Sequence, residues 1–319
     1  MPWLLAALTP LVLGGALLLG AAGAGLPYLH TALGRAVLLL RLNRVAGGFL
    51  VGAALACAGV VLQALLRNPL AEPYVLGVSS GAGLGAALAI FFGLTAFGEL
   101  VLPACAFVLA LATLALVYAL ASQHGRTSLY GLLLSGVIVS AVASSLLMLL
   151  ISLAPLEGLH SITWWMLGNL QMPAGGLLAW CGGLIAAAVL AAWLLARELN
   201  ALTLGREMAH HLGVRPGLVV GLGLLCATLL TATAVALAGL IGFVGLIVPH
   251  AVRSVTGPDH RRLIPAAALA GGLFLVLCDA LARTLLAPIE LPVGVITALL
   301  GGPFFIVLLR RRRKAGWVE

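Results

Sequence analysis

Charge is what this 319-residue chain has least of: Asp, Glu, Lys and Arg together make up 8%. A water-soluble domain carries about a quarter charged residues, so a soluble enzyme of one or two domains is excluded. Lysine is nearly absent, with Lys314 the only one, in a basic tail. A phosphate loop of the form Gly-x-x-x-x-Gly-Lys therefore cannot be assembled, and the chain carries no ATP site of that kind. Aromatic residues make up 6%, and no basic stretch is interleaved with them, which argues against nucleic acid despite a net charge of +8. The five cysteines (Cys57, Cys105, Cys181, Cys226, Cys278) lie far apart inside apolar runs, and that placement fits packing rather than disulfides or a metal cluster.

What fills the space is apolar sequence: 63% hydrophobic residues and a mean hydropathy of +1.20. One span of about 20 residues plus a turn uses roughly 30, so ten spans account for the chain as a single transmembrane domain, 1–319. The runs fall at 4–26, 45–66, 75–95, 101–121, 129–152, 176–196, 217–235, 239–256, 264–282 and 292–309. The stretch 217–250 is nearly continuous, and the Gly-rich Ala238-Gly239-Leu240-Ile241-Gly242 is where it breaks. The first run has no basic residue before it, so it reads as a retained span rather than a signal peptide. The fold class is all-α and polytopic.

Ten spans put both termini on one side. With the termini in the cytoplasm, Arg67, Arg126, Arg197, Arg206, Arg215, Arg253, Arg261, Arg262 and the five basic residues of 310–314 lie inside. Only Arg35, Arg41, Arg44 and Arg283 remain outside. That bias satisfies the positive-inside rule. Forty glycines, several spaced small-xxx-small (Gly48/Gly52, Gly77/Gly81, Gly81/Gly85, Gly217/Gly221), supply close helix packing where lipid offers no hydrophobic drive.

Polar chemistry inside the spans is thin. Glu207-x-x-His210-His211 has the wrong order for a zinc-binding His-Glu-x-x-His and reads as a solvated face. Asp279 is the one mid-span carboxylate, and Arg283, four residues on, would pair with it on a helix. His250 follows Pro249 and reads as a capping or packing residue. The fifth run carries Ser135, Ser140, Ser144 and Ser145; Ser140 and Ser144 share a face, and serines in such helices commonly bond back to their own backbone. The whole reads as a conduit without an energy source of its own.

One loop, 197–216, stands out. Leu204, Met208 and Leu212 recur at i, i+4, i+8, with Arg206, Glu207, His210 and His211 largely elsewhere, before Gly213 and Pro216 end the helix. A short amphipathic helix of that kind lies on a membrane or docks in a partner's groove. A second loop runs from Pro249-His250 through Asp259-His260-Arg261-Arg262.

Arg67-Asn68-Pro69-Leu70-Ala71-Glu72-Pro73 followed by Leu76-Gly77-Val78-Ser79-Ser80-Gly81-Ala82 resembles a signature of the FecCD-type permeases, membrane subunits of importers for iron-siderophores, haem and vitamin B12. The resemblance continues through Leu204-Gly205-Arg206-Glu207 and 239–250, the latter ending Ile247-Val248-Pro249-His250. Asp259-His260-Arg261, 279–283, 290–294 and Gly301-Gly302-Pro303-Phe304-Phe305 follow in order. One departure is Leu42-Asn43-Arg44, where the family has Leu-Pro-Arg. The resemblance implies a ten-helix type II permease, a homodimer around a central path, two ATP-binding-cassette ATPases inside and a substrate-binding protein outside. It further implies that Gly205, Arg206, Glu207, Met208, Ala209, Leu212 and Gly213 couple to the ATPase. By the same comparison Arg41, Arg44 and Arg283 receive the binding protein's acidic residues, and the fifth helix, through Ser140, Ser144 and Ser145, lines the path. Metal and cofactor sites are not expected in this chain; ATP and Mg belong to the ATPase, and the location is the bacterial inner membrane. A secondary transporter or channel working without ATP is the competing reading, and an intramembrane enzyme a third. The motifs do not choose among chelates and corrinoids.

Overall fold

The computed structural model describes residues 2–20, 25, 30–123, 126–170 and 175–314. The helices, in order, are α1 Pro2–Leu18, α2 Ala32–Leu65, α3 Val78–Phe91, α4 Val101–Ala121, α5 Leu129–Leu153, α6 Leu156–Met166 and α7 Gly175–Leu194. They continue with α8 Ala196–Thr203, α9 Arg206–His211, α10 Pro216–Ala238, α11 Val244–Thr256, α12 His260–Thr284 and α13 Val293–Lys314. The one strand pair among the described residues joins Ser122–Gln123 to Arg126–Thr127. All five cysteines are free.

Ten of these helices answer one-to-one to the ten apolar runs. Six (α2, α4, α5, α7, α10, α12) are long and apolar enough to cross a bilayer. The apolar parts of α1, α3, α11 and α13 (Ala7–Leu18, Val78–Phe91, Val244–Thr256, Val293–Val307) are shorter. The break falls where the glycines put it: α10 stops at Ala238 and α11 starts at Val244. The end of the first run, 21–24 and 26, lies outside the described residues.

Two boundaries differ from the apolar pattern. The second run was expected from 45, yet α2 begins at Ala32 and runs 34 residues, about 51 Å at 1.5 Å per residue. That exceeds the roughly 30 Å hydrocarbon core, so the end bearing Arg35, Arg41 and Arg44 projects beyond it. Hydropathy cut the run at those arginines because it cannot see that Arg41 and Arg44 have partners. The segment 197–216, expected as a loop with one helix, holds two, α8 and α9, bent at Gly205 (φ 116°). Pro216 does not merely stop the preceding segment; it is the first residue of α10, where its missing N–H costs nothing.

The core is α2, wrapped by α10, α12, α11 and α7. Close approach explains the burial: Gly52 of α2 and Gly271 of α12 each sit where a Cβ would collide with the other's backbone carbonyl. Dispersion over such backbone-to-backbone contact replaces the hydrophobic drive that lipid removes. Gly81 and Gly85 likewise seat α3 on α4, whereas a Cβ on Gly217 would meet nothing within 4 Å, so no close approach requires a glycine there. Helix α5 behaves differently. It lays Leu132, Ser135, Gly136, Val139, Ala143 and Leu147 against its neighbours and leaves an apolar face exposed, including Val137, Ile138, Val142 and Leu149.

Candidate functional site

Polar groups concentrate in four places: the α8–α9 surface, the first turn of α12, the gap between α10 and α11, and the far end of α12.

In α9 the small Ala209 is fully buried and anchors the helix, while Leu204, Met208 and Leu212 are 65%, 51% and 60% exposed. Glu207, His210, His211 and Gly213 are exposed around them, and Arg206 is partly buried. The stripe expected along one helix is interrupted: Leu204 closes α8 before the bend at Gly205 and Leu212 closes α9, so the three residues form an exposed apolar ridge around the bend, with α9 as its main part. Gly205 and Gly213, both at positive φ, bound it with conformations a side chain resists.

Just behind this ridge, α8 meets the start of α12. Asp259 caps α12 by accepting from the Arg261 N–H (3.1 Å). The Asn200 amide of α8 donates to Asp259 Oδ1 (2.7 Å), and its Oδ1 accepts from the His260 N–H (3.0 Å). His260 Nδ1 lies 2.6 Å from the same oxygen and is therefore the protonated nitrogen. Pro265 lacks the N–H that would meet the Arg261 carbonyl one turn back, and Trp193 of α7 donates its indole N–H there instead (3.1 Å).

The gap 239–243 is irregular backbone, tolerated at membrane depth only when protein satisfies it. Phe243, a non-glycine at φ 69°, donates its N–H to Glu72 Oε1 (2.7 Å). Tyr74 Oη accepts from the Ile241 N–H (2.8 Å) and donates to the Ile241 carbonyl (2.9 Å). Burial pushes the Glu72 carboxyl above its usual range, and the Phe243 N–H opposes this. One turn on, Pro249 frees the Gly245 carbonyl, which accepts from Gln63 Nε2 (3.3 Å); Gln63 Oε1 in turn accepts from Arg253 (2.9 Å). His250 lies within α11 with its ring edge-on to Phe304, a packing contact.

At the far end of α12 the expected Asp279–Arg283 pair is present (2.9 Å), but it belongs to a larger network. Arg44 joins Asp279 Oδ1 (2.9 Å) to Glu290 (2.8 Å). Arg283 also donates to the Leu19 carbonyl (2.5 Å) and the Ala16 carbonyl (3.4 Å) of the α1 end. Asp279 and Arg283 are each 2% exposed. Arg283, expected beside Arg41 and Arg44 as a docking residue, is thus mostly enclosed and holds Asp279 within the chain. Arg41, Arg44 and Arg283 line a cleft of about 280 Å³ with Glu290, and Arg41 donates to the carbonyls of Leu17 (3.0 Å) and Gly25 (2.8 Å).

The α5 serines divide. Ser144 turns inward and donates to Ser80 Oγ of α3 (3.4 Å), and Ser140 packs beside Gly77. Ser145 is exposed and donates to the Ala141 carbonyl (2.8 Å), the backbone bond such serines commonly make. Only Ser145 of the three stands on the open face.

Glu72, Tyr74, Gln63 and Asn200 were not singled out by sequence reasoning. The one available signal was Pro249, which announces a free carbonyl at Gly245 and hence a donor such as Gln63; for Glu72, Tyr74 and Asn200 no local pattern names the partner.

A polytopic helical bundle with a buried break in one helix pair and an outward apolar ridge at one end is the build of a membrane permease. The match to known proteins is correspondingly specific. Residues 11–311 fit the FecCD transport family, and the chain belongs to it. The cobalamin import permease BtuC of Halobacterium salinarum is 46% identical over 276 residues, 86% of this chain and 73% of that one. The hemin transport permease HmuU of Yersinia pestis is 41% identical over 278 residues, 86% and 83%. YvrB of Bacillus subtilis, an uncharacterized ABC transporter permease, is 42% identical over 280 residues, 87% and 79%. A solved chain assigned to the metal-chelate type of ABC transporter, in an inward-facing conformation, superposes with a TM-score of 0.84 at 34% identity. It covers 97% of this chain and 99% of that one. The protein is thus a multi-pass permease subunit of an ABC importer of the metal-chelate, haem and vitamin B12 type.

Proposed function

We propose that the chain, as a homodimer, forms the path by which an iron chelate, haem or corrinoid enters the cell. ATP hydrolysis would be supplied by two ATPases on the α8–α9 side, and cargo by a binding protein on the opposite side. The observation that carries this reading is the ridge of Leu204, Met208 and Leu212, held outward by buried Ala209: an apolar surface of that shape fits a groove on a partner. Gly205, Arg206, Glu207 and Gly213 frame the ridge and orient it. Closure of the ATPases moves α9, and the dimer switches the side to which its path opens.

The basic residues support the orientation, with the α8–α9 end and both termini in the cytoplasm. Arg41 and Arg44, at the projecting end of α2, then face outward as the docking surface, with Arg283 behind them holding Asp279. The exposed face of α5, with Ser145 on it, borders the path, and Ser140 and Ser144 hold α5 to α3. A path poor in charge suits a large chelate, because strong binding groups would trap it. No reaction is performed on the cargo.

The test is reconstitution in vesicles with the cognate ATPase and binding protein. ATP-driven uptake of a chelate or corrinoid supports the reading; gradient-driven uptake by the chain alone replaces it with a secondary transporter.

A further inference from the structure

The first turn of α12 is held to the α8 side by more than packing. Asn200 satisfies three groups there at once, donating to the capping Asp259 and accepting from the His260 backbone N–H and ring Nδ1. His260 is 3% exposed, so its own N–H groups are shielded from water and a missing partner for them is costly; Asn200 and Asp259 are half-buried. Trp193 adds a fourth bond by taking the carbonyl that Pro265 leaves open. Asn200 lies on α8, one short helix before the exposed ridge, and faces α12 rather than a partner.

Helix α12 itself is a stiff connector. From His260 to Asp279 is 19 residues, about 29 Å at 1.5 Å per residue. At its far end Asp279 grips Arg44 of α2 and, through it, Glu290. A displacement of α8 therefore has a hydrogen-bonded route into α12 and an ionic route out at the opposite face.

We propose that Asn200 is the positioning residue through which movement of the α8–α9 segment is transmitted to α12, and by α12 to the Arg44–Asp279–Glu290 network at the other face. This rests on the reading of α9 as the ATPase contact. Asn200 touches neither ATPase nor cargo; its role is to keep the inner end of α12 in register with α8 while α9 is pushed. An apolar or wrongly charged side chain at this position would let α8 slide on α12, so that ATP is spent without reorienting the path.

The test compares Asn200→Asp with the double variant N200D/D259N in the reconstituted importer. Asn200→Asp faces one carboxylate with another and removes the donor. In the double variant the acceptor and donor exchange places: the new carboxylate accepts from His260, and an amide at 259 donates to it while still capping α12. The expected result is that N200D retains its ATPase partner but moves at least fivefold less cargo per ATP, and that N200D/D259N restores most of the loss. Spin labels at exposed positions 281 on α12 and 97 before α4 should show a nucleotide-dependent distance change that N200D abolishes and the double variant returns. Wild-type cargo per ATP in N200D, no rescue by an assembled double variant, or no nucleotide-dependent change in the wild type would each overturn the proposal. Should N200D fail to assemble, Trp193→Phe removes a single hydrogen bond to the same turn and should lower cargo per ATP about twofold; an unchanged ratio overturns it too. The ridge is tested separately by Met208→Asp. If that variant still binds the ATPase, the reading of α9 fails, whatever Asn200 does.

Discussion

The two ends of α12 solve the same problem, anchoring a long helix to its neighbours, with opposite chemistry. At the α8 end a neutral amide and an indole make four directional hydrogen bonds to one turn, one of them to the capping Asp259 carboxylate. At the other end two arginines and two carboxylates form a compact ion network around Asp279. A neutral hydrogen bond lost at the first end leaves an unpaired polar group, whereas a lost ionic partner leaves an unpaired buried charge, which costs more. The lesson is that both ends hold α12, the amide end by direction and the ionic end by charge, and that the ionic end is the costlier one to break.

The largest effect should come from breaking the ionic end. Asp279→Ala leaves Arg283 buried and unpaired and strips Arg44 of one partner, which should cost about 3–5 kcal/mol. A large fall in the melting temperature of the detergent-solubilised protein would register it. Sharpening the same point, the double variant D279L/R283M removes both buried charges and leaves Arg44 with Glu290. It should recover most of that stability. If the double variant is as unstable as Asp279→Ala, the network does more than neutralise itself.

Next in size is the exposed ridge that lies on the amide side of the molecule. Met208→Asp places a charge in what should be an apolar contact, and co-purification of the ATPase should fall about tenfold or more. The protein's own melting temperature should hardly change, since Met208 is exposed. A parallel loss of stability would mean that the ridge is part of the fold rather than a surface.

A smaller, salt-dependent effect is expected where the ionic end meets the outside. Arg41→Glu should slow capture of the loaded binding protein several-fold at low salt, with the difference shrinking at high salt. Equal association rates at both salts would remove Arg41 from that surface.

The smallest concerns the helix break, which belongs to neither end. The Glu72 carboxyl titrates higher in the fold than in the unfolded chain, so its ionised form opposes folding. The penalty develops as pH rises from the ordinary glutamate value, about 4.3, through the raised folded value, and is fully present above it. Glu72→Gln keeps an acceptor for the Phe243 N–H without the charge. It should therefore raise the melting temperature by a few degrees at neutral pH, and the gain should vanish near pH 4. A pH-independent change would assign it to hydrogen-bond geometry instead.

Much of this molecule was legible in one dimension. Hydropathy fixed ten apolar helices, glycines placed the break after Ala238, and apolar Leu204, Met208 and Leu212 among polar neighbours marked the exposed ridge, although their helical spacing did not foresee the bend at Gly205. These features are local: each follows from the composition of a single stretch and the period of a helix. The Asp279–Arg283 pair was legible for the same reason, being four residues apart on one helix.

Pairing across the sequence was not legible, and only the tertiary structure decided it. Arg44 meets Asp279 and Glu290 from more than 230 residues away, Glu72 meets Phe243 across 171, and Asn200 meets His260 across 60. The burial of Arg283 and the inward turn of Ser144 are likewise set by neighbours that no local pattern names. In a chain this poor in polar side chains, composition determines that helices form and that each buried polar group needs a partner. Which partner it finds depends on how closely the helices approach, at contacts such as Gly52 against Gly271, and close approach is a property of the packed bundle.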